Sequence, residues 1–230
     1  MTDTRETDNI PSLRGKIIKW VVRILIILII APLTLLLIGC IYESIASQSD
    51  PERYPSPGEM VDIGGYRLHL VCDGERQAGQ PLVMIEAGSG SSSPDWALVL
   101  PEISRFARVC TYDRAGLGWS ETGPPPRSSM TYASEMEAVL EKSGEEPPYL
   151  LVAHSLGGHT VRIYTDEHLD NVLGMILIDA RPPSRKIPNK PMGPGQLRLW
   201  EFLSQCGFFR IIGKQMFKVT APSMLEAFPD

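Results

Sequence analysis

Basic residues are in the minority in this chain. Lysine and arginine number 22 against 27 acidic residues, a formal charge of −5. Nucleic-acid binding normally shows a basic stripe, and no stretch here has that density, so a nucleic-acid partner is excluded. Cysteine is scarce, with residues only at Cys40, Cys72, Cys110 and Cys206. Their spacing fits no zinc pattern, and they are too few for a disulfide framework. They read as buried free thiols, with a Cys72–Cys110 bridge as the alternative in an oxidising compartment. Histidine is equally sparse: His69, His154, His159 and His168. No metal-ligand set or dinucleotide fingerprint is visible. The glycine- and serine-rich stretch GSGSSS lacks the lysine of a phosphate loop. No cofactor is expected. Internal repeats and long low-complexity tracts are absent as well.

What the chain does have is one long apolar run. From residue 24 to residue 42 no side chain is charged, which is long enough to cross a hydrocarbon core of about 30 Å as a helix. Trp20 and Tyr42 stand near its two ends, where interfacial aromatics belong. Pro32 lies inside the run, a kink that membrane helices tolerate. Arg14, Lys16, Lys19 and Arg23 precede it, and Glu43, Asp50 and Glu52 follow. The charge bias places the N-terminus in the cytoplasm and the rest outside, a single-pass anchor in the cell membrane with the bilayer as its partner. A buried core helix competes poorly, because the run is too long and too uniformly apolar. A cleaved signal peptide usually has a core of only about 7–15 residues. The sequence Leu37-Ile38-Gly39-Cys40 also looks like a lipidation site. An uncleaved anchor is the favoured reading. The expected order is a polar cytoplasmic tail over 1–15, a transmembrane helix over 16–43 and a Ser/Pro-rich linker over 44–58.

Beyond the linker, an ordinary apolar fraction of 43% over 230 residues allows one or two domains. Strands are expected over 60–63 and 66–72, joined by a Gly64-Gly65 hairpin turn. Further strands are expected over 82–86, 108–113, 149–154 and 172–179. Helices are expected over 131–143, with Thr131 as cap, and over 156–168. Residues 94–107 carry apolar positions at mixed helical spacing, broken by Pro101. Strands alternating with helices imply an α/β fold: a mostly parallel sheet with helices on both faces. A core over 59–181 is followed by the proline-rich RPPSRKIPNKPMGPG. The remainder of 182–230 reads as two amphipathic helices, over 196–206 and 209–219, carrying Trp200, Phe202, Phe209 and Phe217. That aromatic set reads either as ordinary packing or as a lid over a pocket.

The stretch LLVAHSLGGH at 150–159 carries the chemistry. A greasy strand ends on Ser155 between small residues, and a helix follows at once, the pattern of a nucleophile elbow. Ala153 keeps the first flanking position small, and Gly157 and Gly158 let the helix approach the neighbouring strand. The backbone N–H of Leu156, at a helix N-terminus, suits an oxyanion. EAGSGSSS, after the third strand, is expected to supply the second donor, the N–H of Ser89. The segments LVMIEAGSGSSSPDW, RVCTYDRAGLGWSE, PYLLVAHSLGGH and VLGMILIDA, in that order, resemble the α/β-hydrolase superfamily, in particular membrane-anchored bacterial members of undefined substrate. The resemblance implies Ser155 as nucleophile and Ser89 with Leu156 as oxyanion donors. It implies a structural loop at Asp113-Arg114-Ala115-Gly116-Leu117-Gly118 that helps shape the pocket.

A serine needs a base, normally a histidine oriented by a carboxylate, in the chain order Ser, acid, His on this fold. None of the four histidines fits. His69 alternates within RLHLV and reads as a sheet-surface residue. His154 neighbours Ser155 on a strand and points to the opposite face. His159 lies one helical turn down, and His168 suits a helix C-terminus. Asp179, ending a strand, is one candidate acid; on this fold the acid more often follows the next strand, and an aspartate here is then structural. The expectation is a C-terminally truncated chain whose acid, final strands and histidine lie elsewhere. The expected activity of the complete form is esterase- or lipase-like hydrolysis of a small acyl or ester substrate, with this fragment inactive. An acyltransferase would use the same residues with another acceptor. A non-catalytic membrane-anchored module is the alternative of a different class.

Overall fold

The computed structural model describes residues 13–183 and 193–213. They divide into two units: residues 13–53 with 193–213, and residues 54–183. In the first, helix α1 (Leu13–Arg53) is long and apolar enough to cross a membrane, and its apolar side chains are exposed along its length. It continues through residues 44–53, which read as linker; the short polar side chains there and Pro51 are accommodated within the helix. Cys40 of α1 is disulfide-bonded to Cys206. Arg210 donates to Glu43 Oε2 at 2.6 Å and to Asp50 Oδ2 at 2.6 Å. These two acids are seven residues apart, about two turns, and so share one helix face. Cys206 and Arg210 thereby tie the second helix of this unit, α5 (Pro194–Gln205), and the helical residues 208–213 to α1. Trp200 stacks on Phe209 with ring centres 5.3 Å apart. Phe217 and the rest of the second expected helix lie outside the described residues.

The second unit is built on six strands: β1 (Glu59–Asp62), β2 (Arg67–Asp73), β3 (Leu82–Glu86), β4 (Val109–Tyr112), β5 (Tyr149–His154) and β6 (Val172–Ile178). They lie in the order β1-β2-β4-β3-β5-β6. The β1–β2–β4 pairs are antiparallel, and β4–β3–β5–β6 are parallel. β3 and β4 are buried at every position, as expected of strands covered on both faces. On one face lie α3 (Ser129–Ser143) and α4 (Gly157–Glu167), whose Met136, Val139, Leu140 and Val161 join the main apolar cluster. On the other lies the short α2 (Leu100–Ser104), with Leu100 against Val83, Ile85 and Val109. Residues 94–107 hold a 3₁₀ turn at Ser93–Trp96 and then α2; Pro101 stands in the first turn of α2 and begins it rather than breaking it. Helix α3 starts earlier than expected. Ser128, at φ −125°, is its cap, and its hydroxyl accepts from the Thr131 N–H at 3.3 Å.

Two sequence expectations are corrected here. Cys40 and Cys206 are not free thiols but bonded to each other, and neither are Cys72 and Cys110 free. Cys72 and Cys110 are direct partners across the antiparallel β2–β4 pair, with Cα atoms 4.1 Å apart, and are disulfide-bonded; strand pairing, invisible in their 38-residue separation, brings them together. His69 is not on the sheet surface. It is fully buried, because the loop after β4 folds Trp119 and Asp113 over its ring.

β6 differs from the other parallel strands. Ile176 is 49% exposed and its neighbour Leu177 39%, and because adjacent residues in this regularly paired stretch face opposite ways, both faces of the strand are open.

Candidate active site

The turn from β5 to α4 places Ser155 at its apex. Ser155 has φ of +50°, in the left-handed region that a residue with a side chain seldom adopts. The backbone around it is held from both sides: its N–H donates to Ile178 O at 3.1 Å, and its carbonyl accepts from the N–H of Arg181 at 3.1 Å and of Gly158 at 3.3 Å. The small residue two positions on has a concrete cause. A methyl group on Gly157 would stand 2.6 Å from Glu86 O and 2.8 Å from Ala87 O, so only glycine lets α4 begin this close to the end of β3. The strained serine is thus over-determined by the sheet on one side and the helix start on the other.

The loop after β3 reaches the same place. A methyl on Gly88 would lie 3.5 Å from Ser155 Cβ and 2.7 Å from His154 Nδ1, so the loop backbone rests against the elbow. Among the described residues, neither the Ser89 N–H nor the Leu156 N–H donates to a protein acceptor. The loop is anchored at both ends by consecutive residues. Arg114, 3% exposed, donates from Nη1 to Ala87 O at 2.8 Å and to Glu86 Oε1 at 2.9 Å, and from Nη2 to Gly88 O. Asp113 accepts the Ser93 N–H on Oδ1 at 2.6 Å, and His69 Nδ1 at 2.8 Å and the Trp119 N–H at 3.1 Å on Oδ2. Burial pushes the Asp113 carboxyl up, and these hydrogen bonds outweigh it, so the group is held below the usual carboxylate range. For Glu86 burial wins: its carboxyl is pushed up to about 7, against Arg114 and the hydroxyls of Tyr112 and Thr160, which pull it down.

The remaining sequence candidates fall around this centre without completing it. Asp179 follows β6 at φ +44°, exposed, with the hydrogen-bonded Ile178 and Arg181 backbones on either side of it. Among the described residues it makes no hydrogen bond to a histidine. His69 pairs with Asp113 through Nδ1, and Ser93 Oγ lies 3.5 Å from that same nitrogen. A serine triad needs the hydroxyl and the carboxylate on opposite ring nitrogens, so these three residues are a structural knot and not a second catalytic centre. His168 caps α4, stacks on Tyr164 and lies 3.2 Å from Glu137. Cys72, Cys110 and Glu145 bring ligand atoms within 4.8 Å of one another, but the disulfide occupies both sulfurs. A cavity of about 410 Å³ opens beside Ser93, Val71 and Trp119, and Ser155 does not line it.

Residues 80–205 match the family model of the alpha/beta hydrolase fold. The chain belongs to the α/β-hydrolase family. Relatives of this chain include YbdG of Bacillus subtilis, 26% identical over 176 residues, covering 75% of this chain and 53% of that protein. The vacuolar membrane protein YNL115C of Saccharomyces cerevisiae is 29% identical over 130 residues, covering 50% of this chain and 20% of that one. Among solved structures, Cfl2 of Burkholderia cenocepacia is similar at 26% identity and a TM-score of 0.51, covering 62% of this chain and 48% of that one. The chain therefore spans about half the length of these proteins or less.

The sequence places Arg114 in a loop expected to be structural but does not reveal its pairing with Glu86. A glutamate ending an otherwise apolar strand (LVMIE) and an arginine inside a glycine-rich turn (DRAGLG) were the available signals. A charge at the end of a buried strand must find a partner, and Arg114 meets that need.

Proposed function

We propose that this α/β hydrolase is the membrane-anchored part of a serine hydrolase acting on acyl esters, with Ser155 as nucleophile. The observation that carries the reading is the serine at φ +50° between a buried strand and a helix start, with two uncommitted N–H groups beside it. Ser155 Oγ attacks the ester carbonyl and gives its proton to a general base. The N–H groups of Ser89 and Leu156 stabilise the oxyanion. The alcohol leaves with the proton, and water then releases the acyl group from the serine. Asp179 is the candidate acid that orients the base. Among the described residues no hydrogen bond joins any of the four histidines to Ser155 or Asp179. The apolar helix α1 and the membrane relative in yeast support anchoring in a membrane. Arg14, Lys16, Lys19 and Arg23 on its N-terminal side support a cytoplasmic N-terminus. The Cys72–Cys110 bridge supports an oxidising compartment for the hydrolase unit.

The test is hydrolysis of p-nitrophenyl butyrate by the complete protein in detergent. Ser155→Ala should lower kcat at least ~10³-fold while leaving the amount in the membrane fraction unchanged. Persistent turnover in that variant removes Ser155 from the mechanism. A second reading, a non-catalytic anchored module, has in its favour that no histidine hydrogen-bonds to Ser155 or Asp179 among the described residues. It prevails if the complete wild-type protein neither turns over esters nor reacts with a fluorophosphonate probe.

A further inference from the structure

Arg114 makes more contacts with the loop after β3 than a charge partner for Glu86 requires. Its guanidinium is buried and spends one nitrogen on both Glu86 Oε1 and Ala87 O and another on Gly88 O. Tyr132 closes it from a further side, with the guanidinium carbon 5.1 Å from the ring centre. A trans peptide is planar, and its C=O and N–H point in opposite directions. Holding the Gly88 carbonyl on Arg114 therefore fixes the Ser89 N–H on the side away from Arg114. The same peptide belongs to the residue whose Cα side rests against Ser155. A planar fork with fixed donors can hold two successive carbonyls and a carboxylate at once; a lysine, a single point charge on a flexible stem, cannot. Asp113, the preceding residue, holds the far end of the loop through the Ser93 N–H at 2.6 Å. The dipeptide Asp113-Arg114 thus clamps residues 87 to 93 at both ends.

We propose that Arg114, oriented by Glu86, is a positioning residue that sets the direction of the Ser89 N–H toward the developing oxyanion. The proposal rests on the reading of Ser155 as nucleophile and Ser89 as oxyanion donor. A donor aimed at the transition state, and not at the ground-state carbonyl, shows itself in kcat rather than KM. Loss of one such donor costs about 10²–10³ in kcat, and loosening rather than deleting it costs less.

The experiment is steady-state hydrolysis of p-nitrophenyl butyrate by the complete protein carrying Arg114→Lys or Glu86→Gln, beside Ser155→Ala in the same assay. Arg114→Lys keeps the charge and loses the fork. Glu86→Gln keeps the shape and loses the carboxylate. The expected result is a fall in kcat of roughly 10–100-fold for Arg114→Lys and a smaller fall for Glu86→Gln, with KM within about twofold of wild type in both. Thermal unfolding of each variant establishes that it is folded. A folded Arg114→Lys with kcat within twofold of wild type, or a parallel change confined to KM, overturns the proposal. If Arg114→Lys does not fold, Glu86→Gln decides in the same way. Failure of both to fold also overturns it, leaving a structural ion pair. Ser155→Ala separates the two levels. If that variant retains activity, the nucleophile reading has failed. If it is dead while Arg114→Lys is unimpaired, only the positioning role has failed.

Discussion

At the residue scale, the two carboxylates flanking the loop after β3 have opposite environments. Asp113 collects three N–H donors and stays ionised. Glu86 sits at the end of a strand buried at every position, and burial lifts its carboxyl from 4.5 to about 7. Between those two values the folded protein keeps the proton and the unfolded chain has lost it. Stability therefore falls as pH rises from about 4.5 to 7 and is level above. The span of about 2.5 pH units corresponds to roughly 3 kcal/mol from this one group. Glu86→Gln should remove that slope. Urea midpoints measured from pH 5 to pH 8 check it: a wild-type slope that survives in the variant assigns the titration to another group. The turn at Ser155 was legible because its pattern is local, a serine among small residues at the end of an apolar run. The pairing of Arg114 was not, because its three acceptors come from a different strand and its loop, 26–28 residues back along the chain.

At the element scale, the strands most legible in sequence were β3 and β5, expected over 82–86 and 149–154 and found at Leu82–Glu86 and Tyr149–His154. Each is a short apolar run bounded by turn residues. Helix starts were harder to place. Ser128 and Thr131 are both capping residues, and only the extended backbone of Ser128 decides between them. The C-terminal end of α1 was missed because serine, aspartate and proline, read locally, suggest a linker. β6 carries the element-scale prediction. Its aliphatic side chains are open on both faces, the condition under which strands self-associate. The 230-residue chain should elute from a sizing column as aggregate, and Ile176→Lys with Leu177→Lys, one on each face, should shift it toward monomer. In the complete protein the same pair should destabilise by more than about 2 kcal/mol if those faces are covered there. An unchanged unfolding midpoint in the complete protein would show that nothing covers them.

At the scale of the whole molecule, the question is which compartment the hydrolase unit occupies. The bridge between β2 and β4 makes a checkable statement. In protein denatured without reductant, a maleimide should not label Cys72 or Cys110, and after reduction it should label both. Replacing the pair by serine should lower stability by about 2–4 kcal/mol, the usual range for removing a cross-link. Labelling before reduction would place the unit in a reducing compartment and reverse the proposed topology. The order of elements, the apolar helix at the front and the strand-to-helix turn at Ser155 were determined by the sequence itself, because each is written in the spacing of neighbouring residues: an uncharged run, alternating apolar segments, a serine between small side chains. The partners of buried charges, the pairing of the cysteines and the burial of His69 were decided only in three dimensions. They depend on which strand lies beside which, and β4 inserts between β2 and β3 although β3 precedes it in the chain. That crossover sets Cys110 opposite Cys72 and brings Arg114 to the loop that follows β3.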